Sequence, residues 1–303
     1  MILVIGGTGT TGKALLHRLV ALGVPARALV RPGSPNRAPV DGIDYVLGDA
    51  ADPTSLRGAM TGVEQLFLAM GNGPRQQDIE LGITAAAAAA GVEHIVKVSA
   101  PVVGPDVPVA ISRTHFAVEQ AIEASGVPHT FLRPYAFMQN LLNHAATIRA
   151  TGVFFGATGD SPVNMVDARD IADVAAVALT QPEHRGTPLV LTGPEAVSYP
   201  EVATRLSQAG RPVRYIDQSP DKLRGGLRRA DLPDWLVEHI LEIQALTVAC
   251  PETPNSTVPD VTGHPHRRLD DFLREHATAF TPPRWTAPAP VGWLMTAVLG
   301  SRR

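Results

Sequence analysis

An apolar run, Ile2-Leu3-Val4-Ile5, ends in the glycine-rich turn Gly6-Gly7-Thr8-Gly9-Thr10-Thr11-Gly12 and passes at once into a helical pattern. Consecutive apolar residues without polar alternation suit a strand buried on both faces of a parallel sheet. In residues 13–23, Leu15, Leu16, Leu19 and Leu22 share one helical face and Gly23 is the stop. Strand, glycine turn and helix in that order make the turn a dinucleotide-binding candidate. Backbone N–H groups at a helix N-terminus reach a pyrophosphate only where no Cβ blocks the approach. The spacing reads as Gly7-x-Gly9-x-x-Gly12 or as Gly6-x-x-Gly9-x-x-Gly12, and the glycines alone do not choose.

The second strand, 26–30, is followed by Arg31, where an NAD-preferring turn usually places a carboxylate for the ribose 2′-OH. A guanidinium pairs instead with a 2′-phosphate, which favours NADP(H) over NAD(H). Ser34 and Arg37 are candidates to extend that pocket.

A third strand, 44–49, delivers Asp49 and Ala50 to the carboxyl edge of the sheet, where ligands bind in open α/β folds. Asp49 either faces the adenine or serves as a turn or helix cap. The fourth strand, 65–70, ends at Ala69 and Met70. Pro74 is expected to open a helix running through the alanines 85–90, whose small side chains allow close packing on the sheet or a homodimer contact. The fifth strand, 94–99, brings Ser99 to the same edge, to meet substrate or simply to end the strand. A helix over 112–124 and a sixth strand over 129–134 complete the alternation. The fold class is therefore α/β, a Rossmann doubly wound parallel sheet with right-handed crossovers.

Beyond residue 134 the rhythm changes. A helix over 135–142 is expected to border the cleft, and a helix over 168–179 is capped by Asp167. A strand at 189–191 returns to the sheet, and Ser198-Tyr199-Pro200-Glu201 reads as a capping box. Further elements at 213–216, 235–246 and 269–276 make a smaller C-terminal α/β lobe. The expected organisation is 1–150 as the dinucleotide-binding domain, with 160–195 returning to it, 196–280 as the substrate-covering lobe and 281–303 as a tail.

A net charge of −3 with scattered basic residues gives no global attraction to nucleic acid or to an anionic membrane. The cluster Arg224, Arg228 and Arg229 reads as the solvated face of a helix. One cysteine, Cys250, leaves no internal disulfide, and a cytoplasmic location is expected. The apolar segment 291–299 is too short to span a bilayer and reads as a terminal packing helix or a weak interfacial one. His264 and His266 flank Pro265 without a companion acid or cysteine, so they read as a loop and no metal is expected.

Residues 6–12, Val30-Arg31, Gly48-Asp49, Val98-Ser99-Ala100, Leu132-Arg133-Pro134 with Phe137-Met138-Gln139-Asn140, and Val166-Asp167-Ala168-Arg169-Asp170-Ile171-Ala172 together resemble the NmrA-like group of atypical short-chain dehydrogenases/reductases. The stretches 206–211 and 262–265 add to the likeness, which extends to about residue 280. The resemblance implies an NADP(H)-binding Rossmann domain with a small lobe over the substrate cleft. It implies reduction of quinones or dyes, or dinucleotide sensing without turnover. The cofactor set is then Gly6, Thr8, Gly9, Thr10, Thr11 and Gly12 on the pyrophosphate, Arg31 on the 2′-phosphate and Asp49 and Ala50 at the adenine. Ala69, Met70 and Ser99 line the edge, and Pro134, Tyr135 and Phe137 flank the nicotinamide.

The departure lies in the helix where many short-chain dehydrogenases carry a Tyr and a Lys four residues apart. Counted back from Ser125-Gly126, those positions are Ile111 and His115. Positioned proton transfer contributes about 10²–10⁴-fold, so its loss weakens alcohol and ketone chemistry and leaves hydride transfer open. His115 either donates a proton, bonds the nicotinamide ribose or lies on a solvated face. Tyr135 is a second candidate donor, or packs against the cofactor. The expected function is NADPH-dependent reduction of a small conjugated or aromatic acceptor. A non-catalytic NADP(H) sensor acting through a protein partner is the alternative, and an epimerase is disfavoured by the missing Tyr base.

Overall fold

The computed structural model describes residues 1–33, 39–208 and 212–281. Ser34, Arg37, part of the stretch 206–211 and the segment 291–299 lie outside the described residues. The first half alternates strand and helix: β1 Ile2–Ile5, α1 Thr10–Ala21, β2 Ala26–Val30, β3 Asp44–Leu47, α2 Pro53–Ala59, β4 Gln65–Leu68, α3 Gln76–Ala89, β5 His94–Val98, α4 Ala110–Ala124 and β6 His129–Pro134. There follow β7 Ala136–Phe137, a 3₁₀ turn Met138–His144, α5 Ala145–Thr151, β8 Val153–Gly156, β9 Val163–Val166, α6 Ala168–Thr180, β10 Leu189–Leu191 and β11 Ala196–Val197. The described residues end with α7 Tyr199–Ser207, β12 Arg214–Asp217, α8 Pro220–Arg229, α9 Asp234–Ala249, α10 Thr257–Thr262, α11 Leu269–Glu275 and α12 Ala277–Phe280.

Seven parallel strands pair in the order β10-β6-β5-β4-β1-β2-β3. β1 is buried at every position, as its unbroken apolar run requires. Leu15, Leu16 and Leu19 of α1 pack with α6 on one face of the sheet. On the other face, Leu56, Ile83, Ala87, Val118 and Ile122 from α2, α3 and α4 cover Leu3, Leu66 and Ile95. Leu22, expected on the buried face of α1, is exposed because the helix ends at Ala21 and Leu22 is its cap. α3 begins at Gln76 with Arg75 as its cap, so Pro74 precedes the helix without opening it.

The expected helix directly after β6 is not formed there. The Tyr135 N–H donates to the Leu191 carbonyl oxygen at 3.0 Å, and Ala136 and Phe137 pair with Met165 and Val166. Those backbone groups serve sheets, and helical turns start only at Met138. Two small sheets, β11-β9-β7 and β12-β8, build the second lobe. Its core joins Met138, Leu141, Ile148 and Phe154 to Val202, Leu206, Leu269 and Phe272. Residues 138–156 thus differ from the expected division at residue 150, because their apolar side chains fill the second core. Val258 of α10 packs in the first. No helix among the described residues is long and apolar enough to cross a membrane.

Candidate dinucleotide and acceptor site

Glycine is required at two positions of the turn after β1. Gly6 has φ +91°, and a Cβ there would stand 1.9 Å from the Ala69 carbonyl oxygen. A Cβ on Gly12 would meet the Gly6 carbonyl oxygen at 2.2 Å. Gly9 is the N-cap of α1, and its N–H donates to that same Gly6 oxygen at 2.9 Å. These contacts select the register Gly6-x-x-Gly9-x-x-Gly12. α1 has no side-chain cap and no acid in its first turn, so its leading N–H groups and the positive end of its dipole face outward. An open trough of about 870 Å³ starts at Thr8, Gly9 and Thr10 and runs past Lys13 and His17 to Arg169. The residues present fit a pyrophosphate.

Arg31 lies one residue past β2, exposed and without a hydrogen bond or ion pair among the described residues. Asp49 is exposed and its Oδ1 accepts the Ala51 N–H at 2.9 Å, a local turn that holds the loop beside Ala50. The cap of α2 is Asp52, whose carboxylate accepts from Thr54 and Ser55. Ala69 and Met70 are half-buried at the edge where Gly6 turns, and Thr11 is buried. Pro134 is buried, while Tyr135 and Phe137 are half-buried at the step between the sheets.

Ser99 is buried and its hydroxyl donates to Glu119 Oε1 at 2.6 Å. Arg133 grips both oxygens of Glu119, at 3.1 and 2.5 Å. His115 is not on a solvated face: it is 6% exposed, and its Nδ1 lies 2.8 Å from Lys97 Nζ. Burial, then the Lys97 charge and His239, push His115 well below the usual histidine range. Burial, with Glu252 and Cys250 behind it, raises the Tyr135 phenol. Tyr135 therefore lacks the heightened acidity that a neighbouring lysine confers.

The second lobe closes toward this edge through named contacts. Asn72, in the loop after β4, lies 3.1 Å from His239 Nε2 on α9, and the Ala110 N–H at the start of α4 donates to Glu242 at 2.9 Å. At the start of α6, buried Asp167 accepts from Gln139, at 2.9 Å, and from the Arg169 backbone and side chain. Burial pushes Asp167 up, but these donors hold its carboxyl below the usual range. Asp170 pairs with Arg267, which also reaches Asp173 at 2.8 Å. Much of the stretch 166–172 thus ties the two lobes together. His264 has a companion acid after all, with its Nε2 3.3 Å from Asp173. Arg224 and Arg228 are spent on Asp221, Glu238 and Asp234.

Sequence reasoning passed over Lys97, Glu80, Glu119, Arg133, Asn72 and His239. One signal was available: Ile95-Val96-Lys97-Val98 puts a lysine inside an apolar strand.

The profile of the NmrA-like family matches residues 1–253. The NAD(P)H azoreductase of Xenophilus azovorans is 39% identical over 285 residues, 92% of this chain and 99% of that protein. The (4-alkanoyl-5-oxo-2,5-dihydrofuran-3-yl)methyl phosphate reductase of Streptomyces griseus is 40% identical, over 93% of this chain and all of its own. Among solved structures, an NADPH-dependent quinone oxidoreductase of Escherichia coli complexed with NADPH superimposes with a TM-score of 0.79 and 26% identity. It covers 91% of this chain and 99% of its own.

Proposed function

The chain belongs to the NmrA-like family, and we propose that it reduces small conjugated or aromatic acceptors with NADPH at the edge where the seven-stranded sheet meets the second lobe. The observation that carries this reading is the turn at residues 6–12. Its glycines clear a backbone approach to an uncapped helix N-terminus, and the residues there fit a dinucleotide pyrophosphate. When bound, the nicotinamide supplies the hydride.

In this proposal Thr10, Thr11 and Gly12 offer N–H groups to the pyrophosphate, with Gly6, Thr8 and Gly9 shaping the turn beside it. Asp49 and Ala50 border the adenine, Ala69, Met70 and Ser99 the sheet edge, and Pro134, Tyr135 and Phe137 the nicotinamide. Preference for NADP(H) over NAD(H) rests on Arg31, an exposed guanidinium that no carboxylate of the described residues engages. The acceptor class rests on the azo, furanone and quinone reductases among the relatives. It also rests on the absent Tyr–Lys pair, since such acceptors accommodate hydride before protonation. Catalysis is then mainly orientation in a cleft whose second wall is α9. The proposal includes a cytoplasmic location and no nucleic-acid partner, on the sequence charge and its single cysteine. A homodimer enters only through the exposed alanines of α3, and light scattering that gives the mass of one chain removes it.

The test mixes the purified protein with NADPH and a panel of quinones, azo dyes and enones, and follows nicotinamide absorbance. Turnover above the protein-free rate is expected. Failure of every acceptor in a sample with confirmed NADPH binding would favour the sensor reading.

A further inference from the structure

Lys97 stands within β5 with its side chain fully buried, where a strand covered on both faces normally takes apolar residues. Its nitrogen hydrogen-bonds the Val98 carbonyl oxygen at 3.0 Å and His115 Nδ1 at 2.8 Å, and forms an ion pair with the Glu80 carboxylate at 3.1 Å. An ammonium has three N–H donors and no lone pair. Glu80 is itself fully buried, and a buried carboxylate holds its charge only beside a positive partner. The third N–H therefore points at Nδ1, which must present a lone pair. His115 is then neutral, with its ring proton on Nε2, and Nε2 makes no hydrogen bond to the described residues.

His115 lies where three segments converge at the carboxyl edge of the sheet. Its helix follows β5 and Ser99, the loop after β4 brings Asn72, and α9 brings His239 and Glu242. Ser99 and Arg133 saturate Glu119, so no nearby carboxylate on α4 is free to draw the histidine proton.

We propose that Lys97 is a positioning residue that locks His115 as a neutral Nε2–H donor, and that this N–H meets the acceptor atom on which negative charge develops during reduction. The proposal rests on the reductase reading above. As the acceptor gains hydride at carbon or nitrogen, the opening π bond leaves its electron pair on a conjugated oxygen or nitrogen. Nε2–H stabilises that pair by hydrogen bonding and keeps its own proton, and water supplies the proton that completes the reduced product. His115 is thus an electrostatic stabiliser, unlike the proton-donating Tyr of a Tyr–Lys pair.

The charged and titratable groups around His115 are Lys97 from β5, Glu80 from α3, Glu119 on α4, and His239 with Glu242 from α9. Burial and the Lys97 charge both disfavour the imidazolium. The wild-type histidine should therefore stay neutral through the ordinary physiological range.

The test has two arms. ¹⁵N-histidine NMR of the full-length protein, from about pH 5.5 to 8.5, is expected to show an unprotonated Nδ1 and a protonated Nε2 for His115 throughout. Protonation at Nδ1, or titration near about pH 6.5, would overturn the lock whether or not any acceptor is reduced. In turnover, His115→Gln places an amide N–H where Nε2 stood, while His115→Asn places one where Nδ1 stood. The glutamine variant should retain activity within about tenfold, and the asparagine variant should lose about 10²-fold in kcat at unchanged NADPH affinity. Equal losses in both, or a matching loss of NADPH affinity, would overturn the donor role. The double variant Lys97→Met/Glu80→Gln removes both buried charges together and so avoids stranding one. It should gain a kcat that rises as pH falls through neutrality, where the wild type is flat, because protonation restores the Nε2–H that the lost lock no longer guarantees. A flat profile in the double variant would contradict the positioning role of Lys97. If the wild type reduces no acceptor, the reductase reading fails, and the NMR arm still decides the lock.

Discussion

At the scale of single residues, the glycines of the first turn separate two demands. Gly12→Ala forces a Cβ to 2.2 Å from a backbone oxygen, and neither atom is a flexible side-chain tip. That variant should lose about 2 kcal/mol or more in a denaturant titration. Gly9→Ala meets the Gly6 oxygen only at 3.2 Å, so it should stay folded while NADPH affinity falls about tenfold or more, as calorimetry would show. Equal destabilisation of the two would mean that the turn is shaped by packing alone. Arg31→Ala should weaken NADPH by about 10-fold to 100-fold and leave NADH nearly unchanged, the worth of hydrogen bonds to a charged group. An equal loss for both dinucleotides would remove the 2′-phosphate role. The glycine turn was legible in the sequence, because its spacing states its geometry locally. The burial of His115 beside Lys97 was not legible. That depends on Lys97 and Glu80, which come from elements 18 and 35 residues away in the chain and meet it only after the sheet has formed.

At the scale of elements, strand and helix order could be read off wherever caps and periodicity agreed. The box at Ser198 is present with both of its reciprocal bonds, and Ser198→Ala should cost about 1 kcal/mol in thermal unfolding with NADPH affinity unchanged. A change in affinity would mean that α7 is coupled to the dinucleotide turn. Residues 135–142 misled because their composition suits a helix while their first backbone groups are claimed by Leu191 and β9. Competition of that kind is set by partners distant in sequence and leaves no local mark. β8, with Phe155 exposed and Gly156 under the Tyr215 ring, is a short pair with β12 that no turn signal announces. The conspicuous stretch 166–172 likewise serves packing, since Asp167 and Asp170 are spent on Gln139, Arg169 and Arg267.

At the scale of the whole molecule, stability should depend on several histidines buried in the neutral form. His94 is fully buried, donates through Nε2 to Thr130 Oγ1 at 3.0 Å, and has an unpartnered Nδ1. Thr130 gives its own proton to the His184 carbonyl oxygen, which fixes that direction. Burial, with Arg185 and His129 adding to it, lowers His94 to about 4, and burial lowers His115 and His144 in the same direction. With the native value below the unfolded one, the unfolded chain binds the proton first as pH falls. The stability held above about pH 6.5 is then lost progressively on acidification, at up to about 1.4 kcal/mol per pH unit for each such group. Urea midpoints measured from neutrality downward should fall steadily below about pH 6.5, and His94→Gln should flatten part of that slope. Midpoints unchanged until carboxylates titrate would contradict this account.

The central claim, hydride transfer to a conjugated acceptor at the sheet edge, is tested most directly by NADPH carrying deuterium at both C4 positions and an enone that the protein reduces. The account predicts one non-exchangeable deuterium on carbon in the product, seen by mass spectrometry, in amount equal to the NADPH consumed. A product without label while NADPH is consumed would contradict it, because the electrons would then have reached the acceptor by a route other than direct transfer.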